Sequence, residues 1–452
     1  MNYKEAMNYI EDSSKFSIKL GLSRTERILE ILGNPHKKIK CIHIAGTNGK
    51  GSITAMLSSV LIEEGYKVGM YTSPYIEEFE ERIQISNTKI SKEDLAYEIT
   101  KVYEAATKII KEGYSYPTQF EIITCAALLY FFEKSVDYAV IEVGLGGRLD
   151  STNVIKPILS VIASISYDHM NILGNDLREI AYEKAGIIKY KVPTVLYPQQ
   201  ENVEKVIEDV CKDKKAELIK VPGDCVEFLS CSDKILNEEE RRVQNIIIDT
   251  KSQRYYINLS LLGKHQLLNC ATAIYAIEKL KELGVLVKDK SIIEGLLKVK
   301  WMGRFEILNK KPLIVIDGAH NIDGIKKLKE SINTYLEYKN IILILGILAD
   351  KQVENMVEAI TPMAQKVICV TPNSERGEIA TELMKVVKKY NKNCEVVESY
   401  KDAYRTALKY CEEDDLLLIS GSLYMIGDMR KVIVKIRKKP ILYDKIGFFK
   451  CS

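Results

Sequence analysis

The stretch Ile42-His43-Ile44-Ala45-Gly46-Thr47-Asn48-Gly49-Lys50-Gly51-Ser52 decides the fold of this chain. It reads as a buried strand ending at Ala45, a glycine-rich turn, and a helix predicted from Ser52 through Glu64. Gly46, Gly49 and Gly51 let the backbone turn tightly with its N–H groups aimed inward, and the helix adds the positive end of its dipole. Such a turn cradles phosphate oxygens. Lys50 can reach terminal phosphates, and the Ser52 hydroxyl can approach a bound Mg²⁺. The common phosphate loop is G-x-x-x-x-G-K-[ST]. Here Ile44 stands at the first glycine position, and Gly51 stands where Ser or Thr is usual. A bare turn with no ligand is the alternative, and a lysine directly after the glycines argues against it.

The chain has 452 residues, enough for two or three domains. Hydrophobic residues make up 46% and charged residues 28%, the composition of a soluble globular protein. A net charge of +3 gives no reason to expect nucleic acid or a membrane as partner. Ten cysteines are scattered without a C-x-x-C pair, which fits reduced thiols better than disulfides or zinc. The polar start Met1–Ala6 is not a signal peptide, and the longest apolar runs, such as 341–348, are too short to span a bilayer. A cytoplasmic protein is expected.

Outward from the loop, helices are predicted at 3–11 and 24–32, with Ser23 as an N-cap and Glu26 at N3. Strands follow at 40–45, 68–71, 138–143, 158–165 and 194–197, with helices at 92–111, 119–132 and 176–187. This alternation predicts a doubly wound parallel sheet. The acidic run Glu77–Arg82 is either a solvated surface or a functional loop. Residues 224–260 suggest a β-rich edge piece, and a helix follows at 290–298. Residues 299–304 read as a linker. A second, smaller α/β pattern then places strands at 313–317, 341–345, 366–370, 394–397 and 415–420. The expected domains are 1–299 and 300–452.

Ligands of open parallel sheets bind at the carboxyl ends of strands. Ser73, Glu142, Asp168 and His169 all fall there, and hard oxygen donors with an imidazole beside phosphates suit Mg²⁺. Singly, Ser73 reads as a turn cap and His169 as a structural histidine. Lys184 reads either as a solvated helix lysine paired with glutamate or as a buried lysine of lowered pKa. Arg304 suits phosphate, and Asp317 ends an apolar strand. His169, His265 and His320, three of five histidines, lie in polar strand-end or turn segments.

The chain resembles the folylpolyglutamate synthase/dihydrofolate synthase family of the Mur ligase superfamily. The resemblance rests on IHIAGTNGKGS, YTSPY…ERI, PTQFE, IEVGLGGRLDSTN, ISYDHMNILG, IAYEKAGIIK, LLGKHQLLN, WMGRFE and DGAHN, all in family order. It implies a Mur-ligase-like fold: a phosphate-loop parallel-sheet ATPase domain, then a Rossmann-like domain that closes over ATP and binds glutamate. It also implies an ADP-forming, cytoplasmic ligase of folate biosynthesis and one-carbon metabolism, both dihydrofolate synthase and folylpolyglutamate synthase. The substrates would be ATP, L-glutamate and dihydropteroate or a reduced folate, and the enzyme would be a monomer.

By the same resemblance Gly46, Thr47, Asn48, Gly49, Lys50, Gly51 and Ser52 would bind ATP phosphates, with Asn269 on adenine, Arg304 on phosphate and Asp317 on ribose. Ser73, Glu142, His169 and a carbamylated Lys184 would hold one or two Mg²⁺, with a monovalent cation possible. Lys50, Lys184 and His320 would be catalytic, with His320 lining the cleft. Leu22, Ser23, Arg24, Thr118, Gln119, Phe120, Glu121 and Leu149 would bind the folate, Phe120 offering a stacking face. Tyr75 departs from the family pattern, which has histidine there, and the tail beyond Arg430, with Lys435–Lys439 and Phe448-Phe449, matches no part of it. Another Mur-type amino-acid ligase would carry an extra N-terminal substrate domain, and only about 39 residues precede the first strand. A non-catalytic nucleotide-binding protein predicts loss of Lys50, Glu142 or His169, and all three are present.

Overall fold

A computed structural model describes residues 1–13, 21–236 and 239–437. It divides into two units, Met1–Leu261 with His265–Trp301, and Leu262–Lys264 with the chain from Met302 onward.

The first unit is built on an eight-stranded sheet. Its strands are β1 (Cys41–Ala45), β2 (Val68–Tyr71), β3 (Ile83–Ile85), β4 (Thr88–Lys89), β5 (Tyr138–Glu142), β6 (Leu159–Ile162), β7 (Thr194–Leu196) and β8 (Leu218–Lys220). Their order is β4-β3-β2-β5-β1-β6-β7-β8. From β2 to β8 all pairs are parallel, and β3 and β4 add an antiparallel edge. The first connections after β1 go to one side of it and the later ones to the other. The topological switch, where open α/β sheets bind ligands, therefore lies at β1.

β1, β2, β5 and β6 are buried at every position, which is why they read as mostly apolar runs, broken only by the buried His43, Glu142 and Ser160. The helices Lys50–Glu63 and Gln119–Glu133 are also buried nearly all round, so neither carries an amphipathic stripe. One core joins Lys50–Glu63 to the helices Lys264–Glu282 and Asp289–Lys298. It also takes in β10 and β11 of a three-stranded antiparallel sheet made of β9 (Val226–Leu236), β10 (Glu239–Asp249) and β11 (Arg254–Leu259). The β-rich piece expected at 224–260 is this sheet. The helix Glu201–Asp213 and β8 extend the sequence reading.

The second unit holds β12 (Glu306–Lys310), β13 (Leu313–Asp317), β14 (Ile341–Leu345), β15 (Lys366–Cys369), β16 (Cys394–Val396) and β17 (Leu416–Ser420). Their order is β12-β13-β17-β14-β15-β16, parallel except for β12. β12 was not expected, because its half-buried sequence alternates weakly. The fold class is the one the sequence implies, a parallel-sheet domain followed by a smaller α/β domain.

Three local expectations are corrected. The helix after the loop begins at Lys50, not Ser52, because Gly49 takes a left-handed φ of 89° and caps it. Ser23 is not an N-cap: Leu22 is already helical, its carbonyl accepts from Glu26 N at 2.8 Å, and Ser23 is the first helical residue of Ser23–Ile31. The acidic run is not a solvated surface throughout. The Glu81 carboxylate is buried and accepts the backbone N–H groups of Ile76, Glu77 and Glu78, folding the loop around itself. The tail beyond Arg430 continues the helix Leu423–Arg437 as far as Arg437, and residues 438–452, Phe448 and Phe449 among them, lie outside the described residues. So do Lys19 and Leu20 of the N-terminal loop.

Candidate active site

The phosphate loop leaves the carboxyl end of β1, the switch strand. Ile44 on β1 is level with Glu142 on β5, and Ala45 with Ile162 on β6. Glu142, the last residue of β5, is therefore one strand from the loop. Ser73 follows β2, one strand further, and Asp168 and His169 follow β6 on the other side. Adjacent strands lie ~4.8 Å apart, so the four strand ends span about 15 Å.

The loop is held from the β6 side. Thr47 N donates to Ser164 O at 2.7 Å, and the Thr47 hydroxyl donates to Ser166 O at 3.0 Å and accepts from Ser166 N at 3.1 Å. Asn48 Nδ2 donates to Ser166 Oγ at 3.2 Å. Thr47 and Asn48 thus clasp the segment that carries Asp168 and His169. Lys50 Nζ donates to Thr47 O at 3.2 Å and stands 3.9 Å from the Glu142 carboxylate, itself 4% exposed. His169 takes a left-handed φ of 50°, which costs a non-glycine residue ~1 kcal/mol or more; it is one of eight such residues among those described. Its backbone N–H donates to Asp168 Oδ1 at 2.9 Å.

Lys184 is not a solvated helix lysine. It is 3% exposed on the helix Leu177–Ala185, and its Nζ donates to Gly46 O, in the phosphate loop, at 3.0 Å. Burial, then the neighbouring Lys50 charge, lowers its pKa to about 7, against the pull of Asp168 and Asp150. The glycine-rich segment after β5 packs on this helix: a Cβ at Gly147 would lie 2.8 Å from Glu183 O. Asp150 fixes the same segment by accepting from Leu145 N at 2.8 Å and Thr152 N at 2.9 Å, and burial raises its pKa.

The residues expected to meet folate are arranged differently from one another. Thr118 caps the helix Gln119–Glu133 in a reciprocal pair with Glu121, at 3.3 and 2.7 Å. Glu121 also receives Arg24 Nε at 3.0 and 3.1 Å, the side chains 3% and 8% exposed. Arg24 and Glu121 therefore join two helices. Phe120 is half-buried, 6.0 Å from the Tyr71 ring, and lies so close to Gly144 that a Cβ there would come within 2.4 Å of it. Leu22, Gln119 and Leu149 are half-buried and Ser23 is exposed.

In the second unit Asp317, the last residue of β13, is buried. It accepts from Phe305 N and Ala319 N, each at 2.8 Å. Burial raises its pKa and the Arg304 charge opposes that. His320 Nδ1 lies 2.9 Å from Gly318 O.

Family models for the Mur ligase middle domain and the Mur ligase glutamate ligase domain match residues 44–277 and 303–423. The dihydrofolate synthase/folylpolyglutamate synthase of Bacillus subtilis (strain 168) is 37% identical over 437 residues, covering 95% of this chain and 98% of that protein. The chain belongs to the folylpolyglutamate synthase/dihydrofolate synthase family of Mur ligases. It is an ATP-dependent, ADP-forming ligase that adds glutamate in folate metabolism. The structure of Mycobacterium tuberculosis folylpolyglutamate synthase complexed with ADP superimposes with a TM-score of 0.87 at 26% identity, covering 95% of this chain and 98% of that one. E. coli FolC in complex with DHPP and ADP gives 0.85 at 26% identity, covering 97% and 99%.

Among the described residues no group of three or more His, Cys, Asp and Glu side chains could hold a metal. The residues that the sequence offers for a metal, Ser73, Glu142 and His169, are a hydroxyl, a buried carboxylate and an imidazole, each at or just after the end of a strand. That set fits Mg²⁺, which binds through one or two carboxylates, substrate phosphates and water.

Two glutamines near the loop and the end of β6 were given no role in the sequence reading. Gln266 Nε2 donates to Ser52 Oγ at 3.1 Å and its Oε1 accepts from Asn269 at 3.0 Å, which sets Asn269 against Gly49. Gln199 accepts from Ile165 N at 3.1 Å and donates to Ala163 O at 2.9 Å, extending the sheet's bonding past the end of β7. Gln266 lies within the quoted stretch LLGKHQLLN but was given no role there, and Gln199 lies in none of the quoted stretches. Their only sequence signal is an amide following a strand or opening a helix.

Proposed function

We propose that this ligase activates the carboxylate of dihydropteroate, or of a reduced folate, and joins it to the amine of L-glutamate, acting as both dihydrofolate synthase and folylpolyglutamate synthase. The observation that supports this reading is the convergence of Lys50, Glu142 and the buried Lys184 on the loop at Gly46. A carboxylate oxygen attacks the γ-phosphorus of ATP, ADP leaves, and an acyl phosphate forms. The glutamate amine attacks the acyl carbon, inorganic phosphate leaves, and the nitrogen loses its proton as the amide forms. Lys50 and the loop N–H groups neutralise charge on the transferring phosphoryl group.

Ser73, Glu142, His169 and Lys184 as its carbamate would hold Mg²⁺, partly through water, and a monovalent cation would fit the same oxygen-rich edge. When bound, Mg²⁺ supplies charge neutralisation at the phosphates. Neutral Lys184, held by Gly46 O, presents a nucleophilic amine to CO₂. Asn269 would meet adenine, Arg304 phosphate, Asp317 ribose and His320 the ligand. Phe120 would stack on the pterin beside Leu22 and Leu149. Arg24 and Glu121 would shape that wall through their mutual bond. The enzyme would work as a cytoplasmic monomer. The test is ATP-dependent ligation of radiolabelled glutamate, run separately with dihydropteroate and with tetrahydrofolate. Labelled product with both is expected. Product with one alone reduces the enzyme to a single activity, and product with neither overturns the substrate assignment.

A further inference from the structure

Trp301, the chain's one tryptophan, packs on the start of the phosphate-loop helix. A Cβ at Gly51 would lie 2.5 Å from its Cζ2, 2.9 Å from Cε2 and 3.1 Å from Nε1. The indole thus occupies the space a Ser or Thr side chain would need at 51, and it packs further against the core that includes Ile53 and Leu57. Trp301 is also the last residue of the first unit before the chain crosses into the second. The point where the chain returns to the first unit, at Lys264–His265, leads directly to Gln266 on Ser52 and Asn269 beside Gly49. Both ends of the returning segment His265–Trp301 therefore bear on residues 49–52, and neither Trp301 nor Gln266 belongs to the loop.

We propose that Trp301 is a positioning residue for nucleotide binding: its indole sets the helix start at Gly51 so that Lys50 and the loop N–H groups face the phosphates. The proposal rests on the reading that this loop binds ATP. Removing the indole leaves a void over Gly51, which has no side chain to fill it, and the helix start gains freedom that binding must then remove. Substrate carboxylate and glutamate do not depend on that order, so the cost falls on nucleotide affinity.

The experiment starts with the intact wild-type chain, titrated with β,γ-methylene ATP and Mg²⁺ while Trp301 emission is followed. The dissociation constants of W301A and W301F are measured by calorimetry, together with KM values and thermal midpoints. Saturable emission change is expected in wild type, with nucleotide affinity lowered about tenfold in W301A, ~1.4 kcal/mol. W301F, which keeps a ring against Gly51, recovers most of that loss, and the KM for dihydropteroate stays put. In a double-mutant cycle G51A weakens binding in wild type and adds little in W301A, where the obstructing ring is gone. A folded wild type that binds no nucleotide overturns the loop assignment itself. Wild-type affinity in folded W301A, or additive effects of G51A and W301A, overturns the role of Trp301. If W301A does not fold, W301L, which removes the ring but fills part of its space, takes its place in the cycle, and additivity of W301L with G51A has the same overturning force.

Discussion

In the proposed mechanism Lys184 links the fold to the chemistry, and its replacement tests that proposal most directly. A carbamate forms only on a neutral amine. With its pKa lowered to about 7, roughly three quarters of Lys184 is neutral at pH 7.5, against about one part in a thousand for an ordinary lysine at 10.5. Burial thus enriches the reactive form several hundred-fold. Lys184→Ala is expected to lower kcat by about 100-fold, ~2.7 kcal/mol, the cost of one electrostatic group in a phosphoryl-transfer site. A short-chain carboxylate added to the buffer should restore part of it by occupying the emptied space. The assay pairs ligation rates with ¹³C spectra of enzyme equilibrated with ¹³C-bicarbonate, where a carbamate resonance should be present in wild type and absent from Lys184→Met. The stability sign follows from the same shift. Below pH 7 both folded and unfolded states carry the charge, and the penalty for burying it is complete. Between pH 7 and 10.5 the unfolded chain binds the extra proton, so the penalty shrinks as pH rises. The urea midpoint of wild type should therefore gain on that of Lys184→Met across this window. Full activity in Lys184→Ala, or a flat difference between the two midpoints, refutes the reasoning.

Arg24→Leu strands the buried Glu121 carboxylate and should cost ~3 kcal/mol or more in denaturant unfolding. Adding Glu121→Gln should cost less than the sum of the two single changes, and a KM for dihydropteroate that rises without loss of stability would return Arg24 to direct substrate contact. Thr47→Val keeps the shape of the loop but removes both hydroxyl bonds to Ser166, so KM for ATP should rise about tenfold, from two bonds of ~1 kcal/mol partly replaced by water. Thr47→Ser should restore it. An unchanged KM in Thr47→Val would show that the clasp does not govern the loop.

Much of the fold was legible because its strands are short, buried and parallel. Runs such as 138–141 and 341–345 have no charged face, and their burial on both sides explains the pattern. The position of Glu142 at a strand's carboxyl end could be read the same way. What could not be read was how each polar residue is used. Arg24 and Glu121 lie in segments that suggest a ligand, yet they satisfy one another across 97 residues of sequence. The Glu77–Arg82 run looks like solvent-facing charge, yet Glu81 is the nucleus of its own loop.

The sequence by itself determined the chemistry available: a phosphate-binding turn, oxygen donors at strand ends, and a lysine one helix beyond. Local composition is enough for that, since glycine geometry and strand burial act over a few residues. Only the tertiary structure decided that Lys184 lies buried against Gly46, 138 residues away, and that Trp301 fills the space beside Gly51. A lysine's charge state depends on how much water reaches it, and the room for a Cβ depends on what the rest of the chain packs there. Both are set by segments far apart in sequence that meet only on folding.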